Sequence, residues 1–199
     1  MKKGIWQEFD GYSEILADIE AGRKAGEKFA AEKFSPDQFI NRLHPERLSL
    51  KVADIVSETP STKTFRLVSK DGDLPPFQAG QYISLFLEIE GIQTSRPYSI
   101  SSPPHSRDYY DITVRRVENG LVSNFLMDDV VIGHDLVSSG PAGHFYFNPL
   151  IHSKAMICFA GGSGITPFMS MIREIVECGL DRSLTLFYGN KTTDDIIFH

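Results

Sequence analysis

Between Leu50 and Leu150 the apolar residues recur with a period of two, and from Lys154 onward they do not. That switch limits the fold more than any other feature of the chain. In "QYISLFLEIE", Ile83, Leu85, Leu87 and Ile89 fall on one face of a strand and alternate mostly with polar or aromatic residues. "TKTFRLVS" and "YYDITVRRVE" have the same texture, and "KDGDLPP", "QAGQ", "IEGIQ", "ENG" and "SSGPAG" supply turns between strands. Short strands, frequent turns and little helix predict a closed antiparallel barrel.

After Lys154, "AMICFA" is apolar without alternation, which suits a parallel strand covered on both faces. The turn "GGSGITP" follows, then the helical "FMSMIREIVECG", then a second apolar strand, "SLTLFY". Thr166 is placed to cap this helix and Pro167 to open it, Met169, Ile172 and Val176 form its stripe, and Gly179 ends it. The order predicts the start of a right-handed βαβ arrangement. "TTDDIIFH" reads as a further capped helix start with Asp194 and Asp195 at its positive end. Two parallel strands and one helix leave an apolar surface open, so chain beyond His199 or a partner is expected to cover it.

Residues 1–46 read as a helical extension. Ser13 caps a stripe of Ile15, Leu16 and Ile19, and Ser35 with Pro36 opens a second helix carrying Phe39, Ile40 and Leu43. The basic start "MKK" has no apolar stretch behind it, so no signal peptide is expected, and no run reaches the roughly 18 apolar residues of a membrane span. A net charge of -6 over 199 residues argues against a nucleic-acid binder. The two cysteines, Cys158 and Cys178, cannot form a disulfide framework, and a reduced, cytoplasmic setting follows. No histidine stands at metal-ligand spacing from a partner, so no metal site is expected.

Three stretches carry chemistry. "RPYS" places Arg96, Tyr98 and Ser99 on one strand, where Pro97 marks an edge or bend. An arginine can grip a phosphate with two prongs, a tyrosine can lie on a flat ring, and a hydroxyl can meet a ring nitrogen. A surface arginine, a half-buried tyrosine and turn serines are the ordinary alternative. In "ENGLVSNFL", Gly120, Leu121, Val122 and Ser123 open a helix whose first N–H groups suit an anion, or simply cap after a turn. "FAGGSGITP" sets Gly161, Gly162 and Gly164 between a buried strand and a helix, where open α/β sheets bind ligands. Its spacing is not G-x-G-x-x-G, and a ligand-free tight turn has the same glycines.

Taken in order, the barrel, "RPYS", "GLVS", "GPAGHF", "GGSGITP" and "LFYGN" resemble the plant-type ferredoxin–NADP reductase superfamily from about Leu50 onward. The resemblance implies an α+β multidomain chain: a six-stranded Greek-key β-barrel binding FAD, rather than FMN, over 47–150, followed over 151–199 by the first, incomplete βαβ part of an NAD(P)-binding domain. It implies that Arg96 binds the flavin pyrophosphate, that Tyr98 packs on the isoalloxazine with Pro97 beside it in the cofactor site, and that Ser99 approaches flavin N5. Tyr98 and Ser99 are thus the expected catalytic pair. Gly120, Leu121, Val122 and Ser123 would hold the phosphates, and Val114, Arg116 and Val117 would border the adenosine half. Gly161, Gly162, Gly164, Ile165, Thr166 and Pro167 would face the nicotinamide dinucleotide, and Tyr188, Gly189 and Asn190 its ribose. Lys191 stands either near a 2′-phosphate or as a solvated loop charge.

The resemblance also implies a hydride passed from NAD(P)H to FAD, then electrons passed to a redox partner, a ferredoxin-like protein or iron–sulfur enzyme; the N-terminal helices lie outside the resemblance and offer a docking surface. Two departures stand out: the family's C-terminal cysteine-glycine motif and terminal aromatic have no counterpart here, and two cysteines cannot ligate a plant-type iron–sulfur cluster. A flavin-bearing subunit without its own nicotinamide site, and a non-enzymatic nucleotide- or protein-binding barrel, are the rival readings.

Overall fold

The computed structural model describes residues 46–199 and three isolated positions, 17, 20 and 21. The chain divides into two compact units, Met1–Asn41 and Arg42–His199. The helices expected over 1–46, and any docking role for them, lie outside the described residues.

Six strands form one antiparallel sheet: β1 (Leu48–Thr59), β2 (Thr62–Ser69), β3 (Tyr82–Ile89), β4 (Ile92–Ser99), β5 (Tyr110–Arg115) and β6 (Asp135–Ser138). Their spatial order is β4-β3-β6-β1-β2-β5. The period-two pattern explains the strands directly, since Leu50, Val52, Phe65, Leu67, Ile83, Leu85, Ile112 and Val114 all turn inward and are buried in one core. The hairpin between β3 and β4 is closed by Glu90 and Gly91 at φ 52° and 79°, two consecutive left-handed residues as a primed turn requires. Helix α1 (Leu121–Asp128) adds Val122 and Leu126 to the same core.

The expected closed barrel needs correction. The outer strands β4 and β5 form no ladder among the described residues: just past the end of β4, Ile100 makes an isolated bridge to Ile112, Ser101 N–H donates to Asp111 O at 2.8 Å, and the Ser101 and Ser102 hydroxyls bond to Asp111 and Thr113. Pro97 has no N–H to offer across that gap, and after Ile100 the chain turns into "SSPPHS", where Pro103 and Pro104 forbid a ladder. The sheet curls but keeps an open seam between β4 and β5.

The second layer contains two parallel strands, β7 (Ala155–Gly161) and β8 (Ser183–Gly189), joined through a tight 3₁₀ turn at Gly162–Ile165 and helix α2 (Thr166–Glu177). Thr166 is the first residue of α2 rather than its cap, and its hydroxyl donates to Ser163 O at 2.7 Å. The expected terminal helix is only a 3₁₀ turn, Thr193–Asp195. One face of β7 and β8 packs toward α2. On the other, Ile157, Phe159 and Phe187 are exposed among the described residues, with the two phenylalanines stacked at 5.0 Å. Among the described residues, no helix is long and apolar enough to cross a membrane.

Three contacts seat α2 on the sheet. Ser170 Oγ donates to Ser102 O at 2.7 Å, Arg173 donates to Ser101 O at 3.0 Å, and Met171 packs with Ala79 and Phe147. Gly80 makes the last contact possible: it sits at φ +105°, and a Cβ there would lie 2.6 Å from Phe145 O and 2.8 Å from Met171 Cε. Gly72 has a similar φ of +116° but open space around it. Gly80→Ala is therefore expected to cost on the order of 1–3 kcal/mol beyond Gly72→Ala, because overpacking adds to backbone strain. Equal losses in urea unfolding of the two variants would contradict this packing.

Candidate functional site

The seam left by β4 and β5 is a cavity of about 350 Å³ lined by Pro97, Tyr98 and Ser99 from β4, Thr113 and Arg115 from β5, Val117, and Ser163, Gly164, Thr166 and Pro167 from the turn into α2. Sequence-distant stretches thus meet at one opening. The edge position of β4 leaves Tyr98 and Ser99 half-buried, and Tyr98 packs partly against the sheet core. Among the described residues, neither the Tyr98 nor the Ser99 hydroxyl has a hydrogen-bond partner. Burial pushes the Tyr98 phenol up to about 12, against a smaller opposing effect of Arg96, so it stays neutral at physiological pH. Thr113 is fixed from behind by Thr64 Oγ1 at 2.8 Å and Ser101 Oγ at 3.3 Å.

Arg96 is exposed on the outer rim. Its guanidinium donates to Ser95 O at 2.7 Å and Thr94 Oγ1 at 3.1 Å, contacts that leave other N–H groups free for an anion. The expected phosphate turn is built differently from the sequence picture. Ser123 Oγ accepts the Val117 N–H at 3.0 Å and lies 3.3 Å from Gly120 O, so this hydroxyl braces the turn itself. Gly120 is needed for space, since a Cβ there would approach Ser123 Oγ to 2.6 Å. What the turn offers an anion is backbone N–H at the start of α1. The side chains of Val114, Val122 and Ile165 are buried and can serve only as framework. Leu121 and Val117 are exposed.

A second cavity, about 400 Å³, adjoins the first and is lined by Arg115, Gly161, Gly162, Ser163, Gly189, Asn190 and Lys191. Arg115 and Ser163 belong to both cavities, although the sequence pattern singled out neither. Arg115 is held by Asp195 at 3.0 Å, while its neighbour Arg116 is taken up by Asp128 at 2.5 Å and 2.7 Å and by Asn124 at 3.0 Å. The signal that separates them is strand alternation, which puts successive arginines of "TVRRV" on opposite faces. Tyr188 donates its hydroxyl to Gly162 O at 2.9 Å and so props the glycine turn from below. Asn190 Oδ1 is buried with no partner, a polar atom that the protein itself leaves unsatisfied beside two cations.

Both cavities suit nucleotides. The seam combines a neutral aromatic ring, unengaged hydroxyls and Arg115 in its wall, with the exposed Arg96 next to its lining on β4, a donor set for a planar heterocycle joined to an anion. The second cavity combines bare glycine backbone, Arg115, Lys191 and an unpaired amide.

Comparison with known proteins agrees. Residues 47–147 match the oxidoreductase FAD-binding domain and residues 156–199 the oxidoreductase NAD-binding domain. The chain belongs to the ferredoxin–NADP reductase superfamily. Within that superfamily it is 35% identical over 153 residues to the glycine betaine monooxygenase reductase subunit of Chromohalobacter salexigens, covering 77% of this chain and 41% of that protein. It is 32% identical over 152 residues to NADH-cytochrome b5 reductase 1 of Dictyostelium discoideum, covering 76% and 52%. Phthalate dioxygenase reductase superposes with a TM-score of 0.68 at 31% identity over 76% of this chain and 46% of that one. The chain spans about half or less of the length of these relatives. Each cavity draws residues from both matched domains, the seam mainly from the first and the glycine cavity mainly from the second.

The neutral Tyr98 phenol gives a test of burial at the seam. Because its folded pKa lies above the ordinary value near 10, the associated stability is complete below pH 10 and declines as pH climbs toward about 12. Without added nucleotide, the wild type should lose stability relative to Tyr98→Phe across that interval in urea unfolding. Parallel curves would place the phenol in water.

Proposed function

We propose that this chain is the electron-entry part of an FAD-dependent NAD(P)H oxidoreductase, with the flavin ring in the β4–β5 seam and the reduced nicotinamide dinucleotide in the adjoining glycine cavity. The observation that carries this reading is the shared wall: Arg115, Ser163 and the turn into α2 border both cavities, so two nucleotides held there would meet at their reactive ends. We take the flavin part as residues 47–150 and the nicotinamide part as beginning at 151. When bound, FAD supplies the redox chemistry, accepting a hydride and releasing electrons singly.

The chain's own residues bind and orient. Tyr98 offers a neutral face against the ring, and Pro97 fixes the strand edge beside it. Ser99 holds a hydroxyl ready for the ring nitrogen that gains the hydride. Arg96 and the α1 N-terminus carry the phosphates, with Gly120 and Ser123 maintaining the turn. Gly161, Gly162 and Gly164 let a pyrophosphate approach backbone, while Thr166 and Pro167 close the nicotinamide end. Gly189 and Asn190 meet the ribose, and Tyr188 supports them. The site as described needs no general acid or base, since a hydride step moves no separate proton.

The electron acceptor is proposed to be a protein, an iron–sulfur carrier or oxygenase component. The support is that relatives are reductase components of monooxygenases, and that the phthalate dioxygenase reductase passes electrons from pyridine nucleotides to a [2Fe-2S] centre. Two free thiols, Cys158 and Cys178, suit work in the reducing cytoplasm.

Anaerobic mixing of the FAD-loaded protein with NADH or NADPH tests the reading. Bleaching of the flavin band by at least one of them is expected, and persistence of the oxidised spectrum with both would refute a nicotinamide site. Ser99→Ala is expected to retain flavin but slow its reduction about tenfold or more, a barrier change of about 1.4 kcal/mol. Arg96→Ala is expected instead to weaken flavin retention about tenfold or more, as loss of a charged hydrogen bond does.

A further inference from the structure

A cluster of metal-ligating side chains stands apart from both cavities. His105, in the loop between β4 and β5, reaches the last turns of α2, where its Nδ1 lies 2.8 Å from Glu174 Oε2 and 3.3 Å from Cys178 Sγ. The three donor atoms all lie within 4.8 Å of one another. Glu174 and Cys178 are four residues apart, so one face of α2 presents both. The other imidazole nitrogen, Nε2, is 3.3 Å from Glu177 Oε2.

We propose that His105, Glu174 and Cys178 bind a borderline-soft divalent cation, Zn²⁺, with Glu177 orienting the imidazole from behind. Three observations carry this. The donor set of imidazole nitrogen, carboxylate oxygen and sulfur is that of zinc and excludes Mg²⁺ and Ca²⁺, which take oxygen ligands only. The spacing is close to what a tetrahedral ion needs: bonds of about 2.0–2.3 Å put ligand atoms about 3.4–3.6 Å apart, so a small opening of the His105–Glu174 pair admits the ion. Glu177 supplies the carboxylate that a metal-bound histidine ordinarily engages through its second nitrogen, which fixes Nδ1 as the ligand.

The electrostatics agree. α2 ends here with no basic residue in its last turn, and its negative end adds to the charges of Glu174 and Glu177. A divalent cation bound here offsets both carboxylates, and its binding displaces the Cys178 thiol proton to solvent. A water molecule completes the coordination. The ion would tie the loop that follows Ser99 to the helix that follows the glycine turn, bracing both walls of the seam from outside. The histidine is distant in sequence from the Glu174/Cys178 pair, which is why ligand spacing gives no hint of the site.

The test uses the full chain after chelator treatment. Titration with Co²⁺, read as a difference spectrum against the cobalt-free protein, is expected to saturate at one equivalent with a thiolate-to-cobalt charge-transfer band and tetrahedral visible bands. Zn²⁺ should displace it. Cys178→Ser should abolish the charge-transfer band, and Glu177→Gln should weaken Zn²⁺ binding about 10–100-fold, as loss of an orienting partner does. His105, Glu177 and Cys178 are exposed and Glu174, half-buried, is left unchanged, so circular dichroism should show these variants folded. Absence of the charge-transfer band in the wild type, its survival in Cys178→Ser, or unchanged Zn²⁺ affinity in His105→Ala would overturn the site.

Discussion

The candidate site exists because one strand runs out of hydrogen-bonding partners. β4 pairs along its whole length with β3, from Ile92 with Ile89 to Ser99 with Tyr82, but contact with β5 begins only past its end, in bonds from Ile100, Ser101 and Ser102. Pro97 removes a donor from that edge and the "SSPP" turn carries the chain away. Had the ladder closed, Tyr98 and Ser99 would face another strand. Because it does not, an aromatic ring and two unengaged hydroxyls border an opening, with Arg96 on the rim. An unpaired edge is usually a hazard, and here the same backbone exposure provides a binding slot.

The seam adjoins a second cavity only through the docking of α2. Ser170 and Arg173 grip the carbonyls of Ser102 and Ser101, three and two residues beyond Ser99. The residues that position the glycine turn therefore anchor to the loop that ends β4. Arg173 also lies 3.7 Å from the buried Asp111, whose main partner is Arg66 at 2.9 Å. The side of the seam formed by β5 is tied into the same network. On the far side of the second layer, Ile157, Phe159 and Phe187 form an apolar face that the described residues leave bare, whereas parallel strands are ordinarily covered on both faces.

Much of this was legible in the residues. Alternation in "YISLFLEI" gives β3 its buried face, "IEGIQ" gives the hairpin, and the apolar run, glycines and helix stripe give β7, the turn and α2, because each rests on local periodicity or turn chemistry. Seam closure was misjudged because whether β4 meets β5 depends on where Pro97, Pro103 and Pro104 direct the chain in space. The choice between Arg115 and Arg116 is likewise tertiary: alternation in "TVRRV" puts them on opposite faces, and the packing of the glycine turn against β5 decides that Arg115 is the one lining the cavities. Ser123 looked like a phosphate ligand because a serine after a turn suits that role, yet the same hydroxyl can satisfy the turn's own backbone, and here it does.

The account rests on the seam being the flavin slot. A crystal structure of this chain grown with FAD tests it most directly. The predicted outcome is tricyclic density between β4 and β5 against the Tyr98 ring, with the phosphates running toward Arg96 and the start of α1. FAD bound elsewhere, with the seam filled only by water, would contradict it.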